Sequence, residues 1–355
     1  MSLPARMCAV QLTGHGGPDA LLWRDDLPLP VPAEDEVLVQ IFAAGVNNTD
    51  IATRVGWYAP ESTGPTGEGQ AFEDGSWSGA MQFPRIQGAE FCGRVVAVGR
   101  DVTGWAFGRR VVCPTNMPEA TPDAPTAYRA LGSDIDGAFA QFCVVPARHL
   151  HDVTASPLSD VEIAAMPCAF GTAEGLLARA GVRHGDRVFI AGASGGVGLA
   201  AVQLARLRGA DVTGQCAAEK AQDVRDAGAA YIIGRTDVPE RDSFDKVIDI
   251  VGGEQVGARI AALRAGGHYA VAGAIAGPIV NVDLRTLYLR DITLHGCTYQ
   301  SREVFAGLVE LINDGRARPR VSRAFPLQEI ATAQAEFQSK RHAGKIVLTM
   351  PEVFS

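Results

Sequence analysis

A glycine-rich turn between an apolar strand and a helical pattern constrains this chain more than any other feature. The segment Val188–Gly198 reads VFIAGASGGVG, and Ala201 and Leu204 continue one apolar helical face after it. Backbone N–H groups at such a helix start can approach a phosphate closely, and the helix dipole favours its negative charge. The turn therefore predicts a dinucleotide site. Its predicted phosphate-binding residues are Ser194, Gly195, Gly196 and Val197.

The same residues also match the G-x-S-x-G turn that carries the nucleophile of α/β-hydrolases, with Ser194 as that nucleophile. In hydrolases several strands precede this turn, whereas here the first strand of the α/β region leads directly into it. Asp249 followed by His268 or His295 would supply the other triad members in the required order. A serine hydrolase therefore stays open as an alternative.

The sequence pattern divides the chain in two, and 355 residues are enough for two cores. Up to about Leu150, short strand signals alternate with Gly and Pro, which predicts a compact β domain. From Leu158, strands alternate with helices, which predicts a parallel, doubly wound sheet. The stretches Ser62–Met81 and Pro114–Asp136 fit no element. The first is interpreted either as a lid over a substrate cleft or as a surface insertion.

Charge and cysteine usage argue against several classes of function. A net charge of −8 gives no reason to expect nucleic acid or an anionic membrane as partner. The seven cysteines are scattered and never spaced as CxxC, which is typical of reduced thiols. No apolar run reaches the roughly 18 residues of a membrane span. We expect a cytoplasmic protein that binds a small-molecule substrate.

The end of the second strand of the α/β region predicts which dinucleotide binds. An acidic residue there holds the ribose 2′-OH of NAD, but this chain has Gln215. Lys220 follows on the next helix and Arg235 follows the third strand. Two such cations suit a 2′-phosphate dianion. The sequence therefore favours NADP(H) as the cofactor.

Several further motifs lie along nearly the whole chain. They are GVNNTD from Gly45, GAE from Gly88, GRVVAVG from Gly93, GAFA from Gly137 and GKIVL from Gly344. Together with the glycine turn they resemble the medium-chain dehydrogenase/reductase superfamily, most closely its zinc-independent quinone oxidoreductase branch. The resemblance implies an α/β fold with a GroES-like β domain at residues 1–157 and 298–355. A Rossmann NADP(H)-binding domain at residues 158–297 is inserted into it.

The resemblance also implies several contacts that residue spacing does not give. Gly273 and Cys297 would line the nicotinamide, and Lys345 would reach either the cofactor or the sheet. Family members commonly dimerise through the edge of the Rossmann sheet, which is Asp291–Gly296 here. We therefore expect a homodimer, by analogy alone.

Departures from the family pattern predict a site without metal. In zinc alcohol dehydrogenases the first ligand is a Cys where Asn47 stands, the second a His where Ala89 stands, and the third a Cys that aligns with Cys168. Catalytic zinc takes about three protein ligands, and one thiol does not provide them. We therefore expect no metal ligands.

Without a Lewis acid, hydrogen-bond donors must stabilise the charge that develops on the substrate oxygen. The resemblance places Asn47 near the nicotinamide and Tyr58 in the cleft as the leading donor, and gives Thr49 the position of a proton-relay hydroxyl. A turn-capping Asn47, a packed Tyr58, and a Thr49 and Asp50 that cap a short helix are the structural alternatives.

This chemistry suits hydride transfer from NADPH to a quinone or an α,β-unsaturated carbonyl compound. An enoyl-thioester reductase, an alcohol dehydrogenase-like activity and a non-catalytic NADPH-binding protein are alternatives.

Overall fold

The computed structural model describes residues 3–66, 75–77 and 79–353, which divide into two compact units. Among these residues, the first unit takes those up to Ser62, those from Gly75 to Cys168 and those from Ser301 onward; the second takes Thr63–Thr66 and Ala169–Gln300. The unit boundaries therefore lie at 168/169 and 300/301 rather than at 157/158 and 297/298. The first lies later because the helix Asp160–Ala164 packs on strands of the first unit.

The described elements follow the predicted change from strands to alternating strands and helices. In chain order the strands are β1 (Arg6–Leu12), β2 (Leu21–Pro28), β3 (Glu36–Val46), β4 (Arg85–Ile86), β5 (Phe91–Val98), β6 (Arg110–Val112), β7 (Asn116–Pro118), β8 (Tyr128–Ala130), β9 (Phe142–Pro146), β10 (His151–Asp152), β11 (Arg187–Ala191), β12 (Asp211–Cys216), β13 (Tyr231–Gly234), β14 (Phe244–Asp249), β15 (Leu263–Val271), β16 (Thr293–Gly296), β17 (Val321–Pro326) and β18 (Lys345–Thr349). The helices are α1 (Asn48–Arg54), α2 (Asp160–Ala164), α3 (Pro167–Arg179), α4 (Gly196–Leu207), α5 (Ala221–Asp226), α6 (Val256–Ala261), α7 (Leu284–Tyr288), α8 (Arg302–Asn313) and α9 (Ile330–Gln338). Within the described part of the chain, no helix is both long and apolar enough to cross a bilayer.

The first unit is organised around β3, which pairs antiparallel with β5, β9 and the C-terminal strand β18. Its sequence VLVQIFAAGV is almost continuously apolar, as expected for a strand buried on both faces. The pairing of β18 with β3 sets Ile346 opposite Val46. Lys345 is thereby placed beside Asn47, the residue that follows β3.

The second unit contains a six-stranded parallel sheet in the order β13-β12-β11-β14-β15-β16. This is the 3-2-1-4-5-6 order of a dinucleotide-binding doubly wound sheet, so the predicted α/β architecture is confirmed. The order reverses between β11 and β14, whose carboxyl ends are Ala191 and Asp249. Ligands of such sheets bind at this switch point, where the glycine turn lies. β16 forms one edge of the sheet, and the dimer inferred from that edge stays a prediction.

The two long stretches without predicted elements have different outcomes. In Pro114–Asp136, β7 pairs antiparallel with β8, so the prediction of no regular element was wrong there. Strands of three residues are too short for an alternating pattern to identify. In Ser62–Met81, residues 67–74 and 78 lie outside the described residues, and the lid stays a prediction. Thr66 donates from its backbone N–H and its hydroxyl to carbonyl groups of the second unit, those of Ile275 and Ala274.

Candidate active site

The glycine turn of the second unit leaves the first turn of α4 without a side-chain cap. Gly195 is the N-cap residue of this helix, in extended conformation. Gly198 lies so close to the turn that a Cβ atom there would be 2.2 Å from the Gly192 carbonyl oxygen, so only glycine fits. The backbone N–H groups of Gly196 and Val197 at this uncapped start suit a pyrophosphate. The turn therefore fits the cofactor predicted for it.

The triad required by the hydrolase alternative is not assembled around Ser194. The Asp249 carboxylate accepts hydrogen bonds from Arg259, from the Tyr269 hydroxyl and from two backbone N–H groups. His268 and His295 instead contact each other, with 2.9 Å between Nδ1 of the former and Nε2 of the latter. Ser194 is half-buried and belongs to the turn.

The residues predicted to select the cofactor occupy two different environments. Gln215 is buried at the end of β12, and its amide is engaged within the protein. Lys220 is half-buried and Arg235 is exposed. Burial lowers the pKa of Lys220, the charge of Glu219 raises it, and the charge of Arg235 lowers it. Joint contact of Lys220 and Arg235 with a 2′-phosphate stays a prediction.

The backbone positions predicted to line the nicotinamide follow the ends of β15 and β16. A Cβ atom on Gly273 would lie 2.8 Å from the Ile250 carbonyl oxygen, so the chain passes closely there. The Cys297 N–H donates to the Val271 carbonyl at 2.9 Å. Contact of either residue with a cofactor stays a prediction.

In the first unit, a buried ion pair lies at the end of β3. The Lys345 ammonium donates to Glu90 Oε1 at 2.6 Å, to the Val46 carbonyl at 3.1 Å and to Asn47 Oδ1. Asn47 Nδ2 donates to the same Glu90 oxygen at 2.8 Å, and the Cys168 N–H donates to Glu90 Oε2 at 2.7 Å. The side chains of Lys345 and Glu90 are 3% and 0% exposed. The predicted reach of Lys345 to the cofactor stays a prediction.

Gly45 makes room for this ion pair. A Cβ atom at Gly45 would lie 2.0 Å from Glu90 Oε1, inside the van der Waals contact distance. Any side chain at this position would therefore displace the carboxylate that holds Lys345. The glycine that begins the GVNNTD motif has this packing role.

Asn47 and Asp50 define the start of α1. Asn47 is the N-cap residue, and its N–H donates to Asp50 Oδ2 at 2.8 Å. The helix cap expected from Thr49 and Asp50 is formed by Asn47 with Asp50, and Asn47 also contacts Glu90 and Lys345. Burial raises the pKa of Asp50 to about 7, although the hydrogen bond from Asn47 and the charge of Lys345 oppose that rise.

The predicted donor Tyr58 lies next to the predicted relay residue Thr49, because their side chains share a hydrogen bond. Burial raises the pKa of Tyr58 well above its usual value. The phenol therefore keeps its proton at neutral pH. A protonated hydroxyl oriented by a second hydroxyl is suited to donating a hydrogen bond.

Aromatic rings pack next to the Tyr58 ring. Trp57 meets the Tyr58 ring edge-on at 5.4 Å between centroids, and Trp77 lies nearly parallel to it at 6.2 Å and 8°. Tyr128 of β8 packs on Trp77 at 6.3 Å. The Tyr58 N–H donates to the Gly75 carbonyl, which ties the segment that carries Trp77 to the Tyr58 loop. Trp77 is the part of the predicted lid that the structure brings to the site.

The three positions that hold zinc ligands in zinc alcohol dehydrogenases are Asn47, Ala89 and Cys168 here. Asn47 is bonded to Lys345 and Glu90, and Ala89 has no ligand atom in its side chain. Burial raises the pKa of the Cys168 thiol to about 12, and Thr115 hydrogen-bonds to it. Among residues 3–66, 75–77 and 79–353, no three His, Cys, Asp or Glu side chains form a group that could hold a metal ion.

Glu90 is the functional residue that the sequence reasoning missed. It was recognised only as part of the GAE motif, without a role. The available signal was a carboxylate immediately before the apolar strand FCGRVVAV, because a charge at a buried position requires a partner.

Comparisons with known proteins match both units. A family model described as "Alcohol dehydrogenase GroES-like domain" matches residues 33–155, and one described as "Zinc-binding dehydrogenase" matches residues 217–348. The crystal structure of a protein from Sinorhizobium meliloti 1021, provisionally named alcohol dehydrogenase, superposes with a TM-score of 0.89 and 37% identity and covers 98% of both chains.

Curated relatives have more varied names. Acryloyl-coenzyme A reductase from Metallosphaera sedula is 28% identical over 333 residues, which is 90% of this chain and 94% of the relative. Quinone oxidoreductase from Mus musculus is 26% identical over 368 residues, which is 97% of this chain and 98% of the relative.

The buried ion pair makes a prediction about stability. Replacing Lys345 alone (Lys345→Met) leaves Glu90 charged and unpaired in the core, and we expect a loss of about 3–5 kcal/mol in the free energy of unfolding. The double variant Lys345→Met/Glu90→Gln should recover a large part of that loss, because no unpaired charge remains. Urea unfolding measures both. The control is Arg323→Met, which breaks the exposed ion pair with Glu336 and should cost about 1 kcal/mol or less. A Lys345→Met loss no larger than that of the control would contradict the prediction.

Asp50 makes a prediction about pH. Its pKa is about 7 in the folded protein against a reference value of 3.8, so the folded state binds the proton more tightly between these values. Stability should therefore fall as pH rises from about 4 to 7, by up to about 1.4 kcal/mol per pH unit. Asp50→Asn removes this contribution. From pH 5 to pH 7 the unfolding free energy of wild type should fall relative to that of Asp50→Asn. Parallel pH profiles of the two proteins would refute this.

Proposed function

The chain belongs to the medium-chain dehydrogenase/reductase superfamily and is an oxidoreductase, and we propose that it transfers hydride from NADPH to a quinone or an α,β-unsaturated carbonyl compound without zinc. Family membership and the two-domain fold, GroES-like plus Rossmann, confirm what the sequence predicts. The family assignment excludes the alternative that the chain is an α/β-hydrolase with Ser194 as its nucleophile. The cysteines, all unpaired, support a cytoplasmic location.

The observation that most supports a site without zinc is the buried Lys345 ammonium. It is held by Asn47 and Glu90, at the end of β3 where zinc enzymes of the family present their first ligand. A cation that already neutralises Glu90 supports a site without a divalent metal, since a metal would repel the ammonium and would find only one thiol. The residues present therefore do not fit catalytic zinc.

The hydroxyl pair supports a reaction driven by hydrogen-bond donation. NADPH, when bound through the glycine turn, supplies the hydride. Tyr58 holds its proton and donates a hydrogen bond to the substrate oxygen, where negative charge develops as the conjugated double bond accepts electrons at its far carbon. Thr49 orients the phenol, and a proton from solvent completes the reduction.

The aromatic rings support the substrate class. Trp57 and Trp77 pack on the Tyr58 ring, and Tyr128 packs on Trp77, so the phenol belongs to an aromatic cluster. Aromatic faces pack well on planar conjugated rings, and one polar group among them fixes orientation. A quinone or a cyclic enone matches this arrangement better than a small aliphatic alcohol does.

An enoyl-thioester reductase is the second candidate, and one observation favours it. The relative from Metallosphaera sedula is named acryloyl-coenzyme A reductase and aligns with 90% of this chain. The chemistry is the same addition of hydride to a carbon conjugated with a carbonyl group. The two candidates differ in whether the chain recognises the phosphates of a carrier.

NADPH oxidation with a substrate panel tests the proposed reaction. The panel contains a naphthoquinone, a cyclic enone, an enal, acryloyl-CoA and, in the reverse direction with NADP⁺, a primary alcohol. We expect the highest kcat/KM with the quinone or the enone, and no loss of activity after treatment with a chelator. A preference for acryloyl-CoA would select the second candidate. Tight NADPH binding without any turnover would indicate a non-catalytic role, and about one zinc per chain would overturn the metal-free site.

Removal of the Tyr58 hydroxyl tests the donor. Tyr58→Phe should lower kcat and kcat/KM together by about 10²–10³-fold, because the lost bond forms only as charge develops. Thr49→Val should cause a smaller loss, since it removes only the group that orients the phenol. Stopped-flow kinetics and the Kd of NADPH separate these effects. The exposed Tyr231 provides the control Tyr231→Phe. Unchanged kcat in Tyr58→Phe would remove Tyr58 from the mechanism.

A further inference from the structure

Four polar side chains are buried together in the second unit, although none of them was predicted to form a network. Gln215, Asp249, Arg259 and Tyr269 are each at most 3% exposed. Asp249 ends β14, Gln215 lies at the end of β12, and Arg259 is on α6. Burying polar groups is costly unless they form hydrogen bonds, so the partners of these side chains show what they hold in place.

Asp249 and Arg259 form the centre of the network. Arg259 Nη1 donates to Asp249 Oδ2 at 2.8 Å and to the Gly252 carbonyl at 3.0 Å. Asp249 Oδ1 accepts from the N–H groups of Val251 and Gly252 at 2.7 and 3.0 Å. The ion pair therefore fixes the loop that follows β14, at the switch point of the sheet.

Gln215 connects this centre to two other loops. Its Oε1 accepts from Arg259 Nη2 at 3.3 Å, and its Nε2 donates to the Asp237 carbonyl at 3.0 Å. Gln255 Oε1 joins the two side chains, because it accepts from Gln215 Nε2 at 3.1 Å and from Arg259 Nη2 at 3.0 Å. The backbone carbonyl of Gln215 accepts from the Ala193 N–H at 3.0 Å, in the glycine turn. With both ends of its amide engaged inside the protein, Gln215 acts on the cofactor site through these loops.

The loop held by Gln215 is the one that carries Arg235. Asp237 Oδ2 accepts from the Gly234 N–H at 2.7 Å, and the Asp237 N–H donates to the Gly234 carbonyl at 3.1 Å. Arg235 thus lies within a tight turn whose last residue is bonded to Gln215. Lys220 lies at the start of α5, shortly after β12, and Arg235 follows β13, which pairs in parallel with β12, so both cations lie at the carboxyl ends of neighbouring strands.

We propose that Gln215 and Arg259 are positioning residues for the 2′-phosphate of NADPH. Arg259 orients the Gln215 amide, Gln215 holds the Gly234–Asp237 turn, and that turn presents Arg235 beside Lys220. The preference for NADPH thereby depends on a buried arginine that does not itself touch the nucleotide. This inference rests on the proposed use of NADPH.

Direct binding of nucleotide fragments to the full chain tests the proposal without relying on turnover. The probes are 2′,5′-ADP and 5′-AMP, which differ in the 2′-phosphate, and calorimetry gives a Kd for each. Arg259→Lys keeps the charge beside Asp249 but loses the planar fork that reaches Gln215. We expect the Kd of 2′,5′-ADP to rise about tenfold, as the loss of one charge-assisted contact would cause, and the Kd of 5′-AMP to change less than about twofold.

Two further variants make the result decisive. Arg264→Lys is the control, because Arg264 is exposed and pairs with Asp245 at the other end of β14. It should leave both Kd values unchanged. Gln215→Met keeps the Asp249–Arg259 pair and removes the link to Asp237, so it should reproduce the loss of selectivity even if Arg259→Lys does not fold.

The failure of the inference is distinct from the failure of the proposed function. If wild type binds 2′,5′-ADP no more tightly than 5′-AMP, the NADPH assignment fails and the inference falls with it. If wild type discriminates, and Arg235→Ala abolishes the discrimination while Arg259→Lys and Gln215→Met retain it, NADPH use stands and the positioning role is overturned.

Discussion

A carboxylate removed from water must be paired and hydrogen-bonded, and the first unit depends on how this requirement is met for Glu90. Its partner Lys345 comes from the last strand, more than two hundred residues later in the chain. The pairing of β18 with β3 is therefore also the condition for the ion pair, and the ion pair connects the end of β3, the N–H of Cys168 and the start of α1. The strand pairing that completes the β sheet thus also places Lys345 beside Glu90.

In the second unit, the buried carboxylate of Asp249 is paired with Arg259. There Asp249 accepts hydrogen bonds from Arg259 and from two backbone N–H groups of the following loop. These bonds offset the cost of burying the charge and fix the loop. In both units, then, a buried pair stands at the end of a strand, where functional loops begin. Apolar side chains of equal volume would pack as well in these places, but they could not orient backbone N–H groups or amides.

The fold and the cofactor turn were readable from sequence because their signals are local. An apolar strand, a turn in which Gly198 admits no Cβ atom and an amphipathic helix follow each other within twenty residues. A buried position for Glu90 could be read from the apolar strand that follows it, but its partner Lys345 could not, since that pairing depends on a register between distant strands. Gln215 shows the intermediate case. Its position at the end of β12 could be predicted, but its side-chain partners Arg259 and Gln255 could not, because no local pattern reveals contacts between β12 and the region of α6.

The raised pKa of Tyr58 bears on the direction of the reaction. Reduction of a conjugated carbonyl requires a donor that keeps its proton, and burial supplies this condition without any further group. Oxidation of an alcohol requires a base that removes a proton, and a phenolate in this environment would be costly to form. The Asp50 carboxyl has a suitable pKa of about 7, but its Oδ2 is occupied by the Asn47 N–H at the helix start. The same burial that keeps the proposed donor Tyr58 protonated disfavours it as a base, which agrees with the proposed reduction rather than with alcohol oxidation.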